Sequence, residues 1–276
     1  MKISGFFQRH LFLLLLLWAF ICLLTKLGWV IFACGILLLL ALTFIVSPEI
    51  IWYATGLFAF DQDKSRAHLE KAVARKPSIP GPYRTLGLLY AKAQQWTQAI
   101  PLLETALTLQ KRTNPNLTLA LAISYRQNGV YESALSLLHG LIDKGYKNVQ
   151  IYYNLAHTYL KQENLAEALT AANKARTLNI TLVEPVLLLG RIHFALQDYA
   201  AAKDDFTWAI NRLSWPVESY YWLGRCAFAE GEWAEAVENL EIAVERIKED
   251  PLLSDVSVEE AEKWLTRAKA NTNSTL

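Results

Sequence analysis

Cysteine is scarce in this 276-residue chain: Cys22 and Cys34 lie among apolar neighbours, and Cys226 is far from both. No Cys-x-x-Cys pair and no Cys/His cluster occurs, which excludes a disulfide framework and a structural zinc site as organising devices. The three thiols read as small buried hydrophobes. Histidine is equally sparse, and His10, His68, His139, His157 and His193 share no ligand spacing. A Gly-rich phosphate loop, a nucleophile elbow, an H-E-x-x-H pair and a calcium loop are all missing. These absences predict no intrinsic enzymatic activity, no cofactor and no small-molecule substrate. An excess of charge is missing too, since the net charge is +1. Residues 1–60 carry Lys2, Arg9 and Lys26 against Glu49, leaving the rest of the chain at −1. With no basic field to hold a phosphate backbone, nucleic acid is excluded as a partner.

What the first 60 residues do contain is apolar surface. Leu27 to Val46 is an uncharged run of 20 residues, which at 1.5 Å per residue covers about 30 Å, one hydrocarbon thickness. Leu11 to Thr25 is shorter and reaches a similar length only when extended back through Phe6 and Phe7, with Arg9 snorkelling. Lys26 and Gly28 fall where a tight reversal would sit. Residues 1–48 are therefore expected to form a two-helix transmembrane hairpin, with spans near 6–25 and 27–46. One full span with a re-entrant first segment is the alternative. A cleaved leader is not expected, because no A-x-A-like site follows the apolar run. Basic residues at both outer ends of the hairpin place the following domain in the cytoplasm of a bacterial-type inner membrane.

From residue 80 the chain repeats itself. Gly87, Ala122, Ala156, Gly190 and Gly224 are spaced by 35, 34, 34 and 34 residues. One residue earlier stands Leu in every copy: Leu86, Leu121, Leu155, Leu189 and Leu223. Twelve later stands Ala in every copy: Ala99, Ala134, Ala168, Ala202 and Ala236. Sixteen later come Leu103, Leu138, Ala172, Phe206 and Leu240, and nineteen later Ala106, Leu141, Ala175, Ala209 and Ala243. Small residues at these intervals let two helices approach closely, and alanine also favours the helix itself. Polar or Gly-containing breaks (Gln94-Gln95, Asn128-Gly129, Glu163-Asn164, Gln197-Asp198, Glu230-Gly231) separate the two helices of each copy.

This pattern resembles the tetratricopeptide repeat family, whose 34-residue unit is a helix–turn–helix. The resemblance implies an all-α, right-handed superhelical solenoid of five repeats over residues 80–250. Leu69, Ala72 and Pro77 match the end of another copy, so residues 49–79 are expected to form a degenerate, membrane-proximal repeat. Residues 251–276 are expected to hold a capping helix, Val258 to Ala270, and a polar tail.

In proteins of this family the first helix of each pair lines the inner groove. The corresponding stripe carries Arg84, Arg126, Tyr153, His157, Arg191, Phe194, Tyr221, Arg225 and Phe228, with Leu88 and Ile123 among them. Aromatic and arginine side chains dominate binding hot spots, because each buries much area with few rotors or makes bidentate contacts. The stripe points to protein or peptide partners, with acidic ones favoured by the arginines. The carboxylate clamp of chaperone-binding members is not implied, since Leu88 and Ile123 occupy two of its positions. The expected role is a membrane-anchored scaffold or assembly factor that recruits proteins through the groove. The alternative is a structural or accessory subunit whose hairpin packs against other membrane helices.

Overall fold

A computed structural model describes residues 33, 35–37, 48–58, 61–213, 216–250, 254 and 256–274. The two expected spans, 6–25 and 27–46, lie almost wholly outside the described residues. Among the described residues no helix is long and apolar enough to cross a membrane. The first named helix has 11 residues, about 16 Å of rise, and the two longest, of 17 residues each, carry charges along their length. The expected placement as an integral membrane protein of a bacterial-type inner membrane is therefore withdrawn.

Thirteen helices run through residues 48–274: α1 Pro48–Phe58, α2 Gln62–Ala74, α3 Pro80–Lys92, α4 Trp96–Leu109, α5 Pro115–Gln127, α6 Tyr131–Asp143, α7 Val149–Lys161, α8 Leu165–Leu178, α9 Glu184–Ala195, α10 Tyr199–Ile210, α11 Val217–Glu230, α12 Trp233–Glu249 and α13 Val258–Ser274. They divide into two compact units. The first takes residues up to 93 together with 101–111, and the second takes 94–100 together with 112–276.

In the first unit α1 packs on α2 and α2 on α3. Gly56 faces the fully buried Leu69, and a β-carbon there would stand 2.9 Å from Leu69 Cγ. The apolar α1 is partly covered by its neighbour, since Trp52 stacks on His68 with centroids 5.2 Å apart. Lys71 sits over the same indole at 4.7 Å.

In the second unit successive helices pack antiparallel in pairs, α5–α6, α7–α8, α9–α10 and α11–α12, and α13 closes on α12. The sequence columns become the core. Ala134, Ala168, Ala202 and Ala236 have no exposure, nor do Leu138, Ala172, Phe206 and Leu240. Opposite them Gly190 and Gly224 bring backbone against side chain: a β-carbon at Gly224 would come within 2.6 Å of Leu240 Cγ. Helix starts are fixed by side chains at the first free amides. Asn114 accepts from the Leu117 N–H, Asn148 from Ile151 and Asp198 from Ala201, at 3.0–3.1 Å. Pro115 and Pro185 stand in the first helical turn, where a missing N–H costs nothing.

Each pair is joined by the same turn. The residue seven after the small one is left-handed: φ is +79° at Gly129, +59° at Glu163, +63° at Gln197 and +83° at Gly231. The next amide then reaches back five residues. Val130 donates to the Tyr125 carbonyl, Asn164 to Tyr159, Asp198 to His193 and Glu232 to Ala227, each at 2.9 Å. This closure satisfies a carbonyl left free at the helix end.

First helices also touch the first helices of the next pair: α5 with α7, α7 with α9, α9 with α11 and α11 with α13. In a curved stack the helices that lie closest are those on the inside of the curve. The α5–α7–α9–α11 face is thus the inner face of the second unit.

Candidate interaction face

Repeat spacing dictates which side chains reach this face. Positions one and four after the small residue of each first helix, and three before it, share one stripe. Arg126 stands on α5, Tyr153 and His157 on α7, Arg191 and Phe194 on α9, and Tyr221, Arg225 and Phe228 on α11. Arg84 is exposed on α3 and belongs to the first unit.

The eight residues of the second unit fall into two groups. Toward the C-terminal end they are engaged by the chain itself. Arg225 donates to Tyr221 Oη at 2.8 Å, and Tyr221 donates to Glu260 Oε1 at 2.7 Å. Its guanidinium is also ringed by aromatics: Trp264 at 3.7 Å, Phe194 at 5.2 Å, Trp222 at 5.5 Å and Tyr221 at 5.7 Å. Phe228 meets Trp233 and Trp264 edge-on. Tyr221 is only 1% exposed, so it offers a partner no surface. Burial, and then its hydrogen bond to Glu260, push its phenol up to about 12, which keeps it a neutral donor at physiological pH. One repeat earlier the arrangement recurs in looser form. Arg191 lies 3.6 Å from Glu218 and 5.8 Å from the centroid of Trp222.

Three side chains in this cluster were not anticipated: Trp222, Glu260 and Trp264. Glu218 and Trp222 are four residues apart on α11, and Glu260 and Trp264 are four apart on α13. That recurring Glu-x-x-x-Trp is the signal by which they were detectable. Each pair faces an arginine on the preceding first helix, so α13 continues the inner face as well as covering α12.

Toward the N-terminal end the face is less occupied. Tyr153 and His157 stack, with centroids 6.1 Å apart and planes 4° from parallel. Both are half-buried, and burial raises the Tyr153 phenol. Arg126 is 7% exposed. One of its guanidinium nitrogens meets His157 Nδ1, and its Nε is buried without a partner. Burial lowers its pKa from the usual arginine value, and the nearby Arg191 charge adds to that.

Away from this face lies a cleft of about 790 Å³, lined by His139 of α6, Tyr152 and Tyr159 of α7, and Glu167, Thr170 and Lys174 of α8. His139 Nε2 and Tyr159 Oη are 2.8 Å apart across it. Among the described residues no three His, Cys, Asp or Glu side chains gather as a metal site.

Sequence profiles and solved folds resolve in the same direction. A profile described as tetratricopeptide repeat matches residues 187–251, and one described as anaphase-promoting complex, cyclosome, subunit 3 matches residues 83–175. No curated protein matches the chain. Among solved structures, the APC/C hetero-tetramer Cut9–Hcn1 aligns at a TM-score of 0.62 and 17% identity, covering 85% of this chain and 45% of that one. Yeast Tom70 aligns at 0.57 and 14%, covering 81% of this chain and 47% of its own. YrrB, described as a repeat protein with an unusual peptide-binding site, aligns at 0.51 and 18%, covering 73% and 97%. The chain thus spans under half the length of the first two, and at these identities the likeness is one of fold.

Proposed function

We propose that this chain, an all-α tetratricopeptide-repeat solenoid, is a protein-binding scaffold that holds a partner segment along the inner face of α5, α7 and α9. The observation that carries this reading is the side-by-side packing of the first helices. It brings half-buried Tyr153, His157, Arg191 and Phe194 from two consecutive repeats onto one surface. Rings and guanidinium groups presented at a repeat interval suit an extended peptide or a single partner helix. YrrB, with its peptide-binding site, supports the reading at the level of fold.

The C-terminal half of the expected groove is not part of this surface. Tyr221, Arg225 and Phe228 are already answered by Glu260 and Trp264. Selection of twelve-residue peptides from a random phage-displayed library on the full chain tests the proposal. Enriched peptides should lose at least about tenfold in affinity on Tyr153→Ala with Phe194→Ala. They should keep it on His139→Ala with Lys174→Ala in the cleft of the other face. Absence of any enriched peptide, or the reverse pattern of loss, overturns the proposal.

A further inference from the structure

Three arginines stand on the inner face of the second unit, and two of them are answered by the chain's own carboxylates. Arg191 faces Glu218 at 3.6 Å, and Arg225 reaches Glu260 through the Tyr221 hydroxyl. Arg126 is the most buried of the three, yet no carboxylate of the described residues lies within ion-pair distance of it. Its polar neighbours are His157, which meets one terminal nitrogen, the neutral phenols of Tyr153 and Tyr131, and Arg191, whose positive charge bears on it. Its Nε is enclosed and makes no hydrogen bond. Taking a guanidinium out of water without an anion is among the costliest placements a fold can make. A second cation beside it adds to that cost rather than offsetting it.

We infer that Arg126 with His157 forms a receptor for an Asp or Glu side chain of the bound partner, which supplies the carboxylate that α5 and α7 lack. This rests on the inner face being the binding surface and names what that surface selects. The choice of a side-chain carboxylate follows from the chain's own practice on this face. Arg191 is met directly by a Glu presented from a neighbouring helix and Arg225 is linked to one through the Tyr221 hydroxyl, and a partner segment lying along α5, α7 and α9 takes the place of such a helix. Planar guanidinium and planar carboxylate match in geometry, and a charged hydrogen bond inside a half-buried site is stronger than one in water.

The same phage selection on the full chain tests it, because peptides fused through their C-terminal ends present acids only as side chains. Asp or Glu should enrich at one fixed position among the apolar residues. Replacing that acid by Asn or Gln should weaken binding at least about tenfold. Arg126→Met should abolish the preference, Arg126→Lys should retain it in weaker form, and Arg126→Met should melt at the wild-type temperature or above. Peptides that bind the inner face with no acid preference, or a preference untouched by Arg126→Met, overturn the inference and leave the scaffold reading intact. A fall in melting temperature of about 5 °C or more for Arg126→Met, together with an unchanged peptide profile, shows a purely structural cation. Failure to enrich any peptide overturns both.

Discussion

At Gly190 an added β-carbon would lie 2.7 Å from two carbons of the Phe206 ring, and that ring is fully buried. At Gly140, inside α6, the same atom would meet nothing within 4 Å. Alanine favours a helix over glycine by about 1 kcal/mol at either site. Only at Gly190 does overpacking of about 1–3 kcal/mol oppose it. Gly140→Ala is therefore expected to raise stability by about 0.5–1 kcal/mol and Gly190→Ala to lower it, read from paired thermal melts. Equal shifts of one sign would mean that α9 and α10 are not packed as described. A second residue-level case is Asp205, only 8% exposed, whose carboxyl is raised by burial while His193, 2.8 Å away, pulls it back down. His193→Phe removes that partner and is expected to cost about 1–3 kcal/mol at pH 7. Because the folded-state pKa is raised, protonation relieves the buried charge. The penalty should shrink as pH falls through that value, with Arg176 and Asp204 as the other charges bearing on the site. Melting curves at pH 7 and pH 4.5 check the sign, and a penalty that grows on acidification contradicts it.

Among the helix pairs of the second unit, the turns differ in what they store. Gly129 and Gly231 adopt the left-handed conformation freely, whereas Glu163 and Gln197 adopt it with a side chain in place. A left-handed L-residue costs about 1–2 kcal/mol, part of which glycine returns as unfolded-chain entropy. Glu163→Gly and Gln197→Gly are each expected to stabilise by about 0.5–1 kcal/mol, seen as a higher denaturation midpoint at unchanged slope. A lower midpoint would show that the side chains offset the strain. The same comparison shows why the turns were legible in the sequence only as breaks. Polar composition marks where a helix stops, but the sign of φ follows from the closure between helices and not from Gln or Glu.

For the chain as a whole, the repeat columns were legible almost residue for residue, because a 34-residue period translates directly into burial. Every second-unit alanine expected at a helix crossing is fully enclosed. The inner face was legible only in part. Its stripe follows from spacing within one helix, but its occupancy depends on which residues of the next helix arrive opposite. Trp222 and Trp264 lie off the stripe, so spacing alone does not assign them to the face. Tyr221 lies on it and is buried, because the stack ends there and α13 supplies the neighbour that the period does not encode. Spacing places Arg126 in the groove beside Arg191 and Arg225, but it cannot show which arginine the fold leaves without a carboxylate.

The reach-back bond of each turn has a consequence in isotope exchange. The amides of Val130, Asn164, Asp198 and Glu232 sit in what otherwise look like surface loops, yet each is tied to a carbonyl of the preceding helix. In heavy water these four should give up their protons only when the adjoining helix end opens, on the slow timescale of the helices and not that of the loops around them. They would mark the chain at an interval of 34 residues, so a regular beat of slow protons would report the winding of the stack without a partner bound.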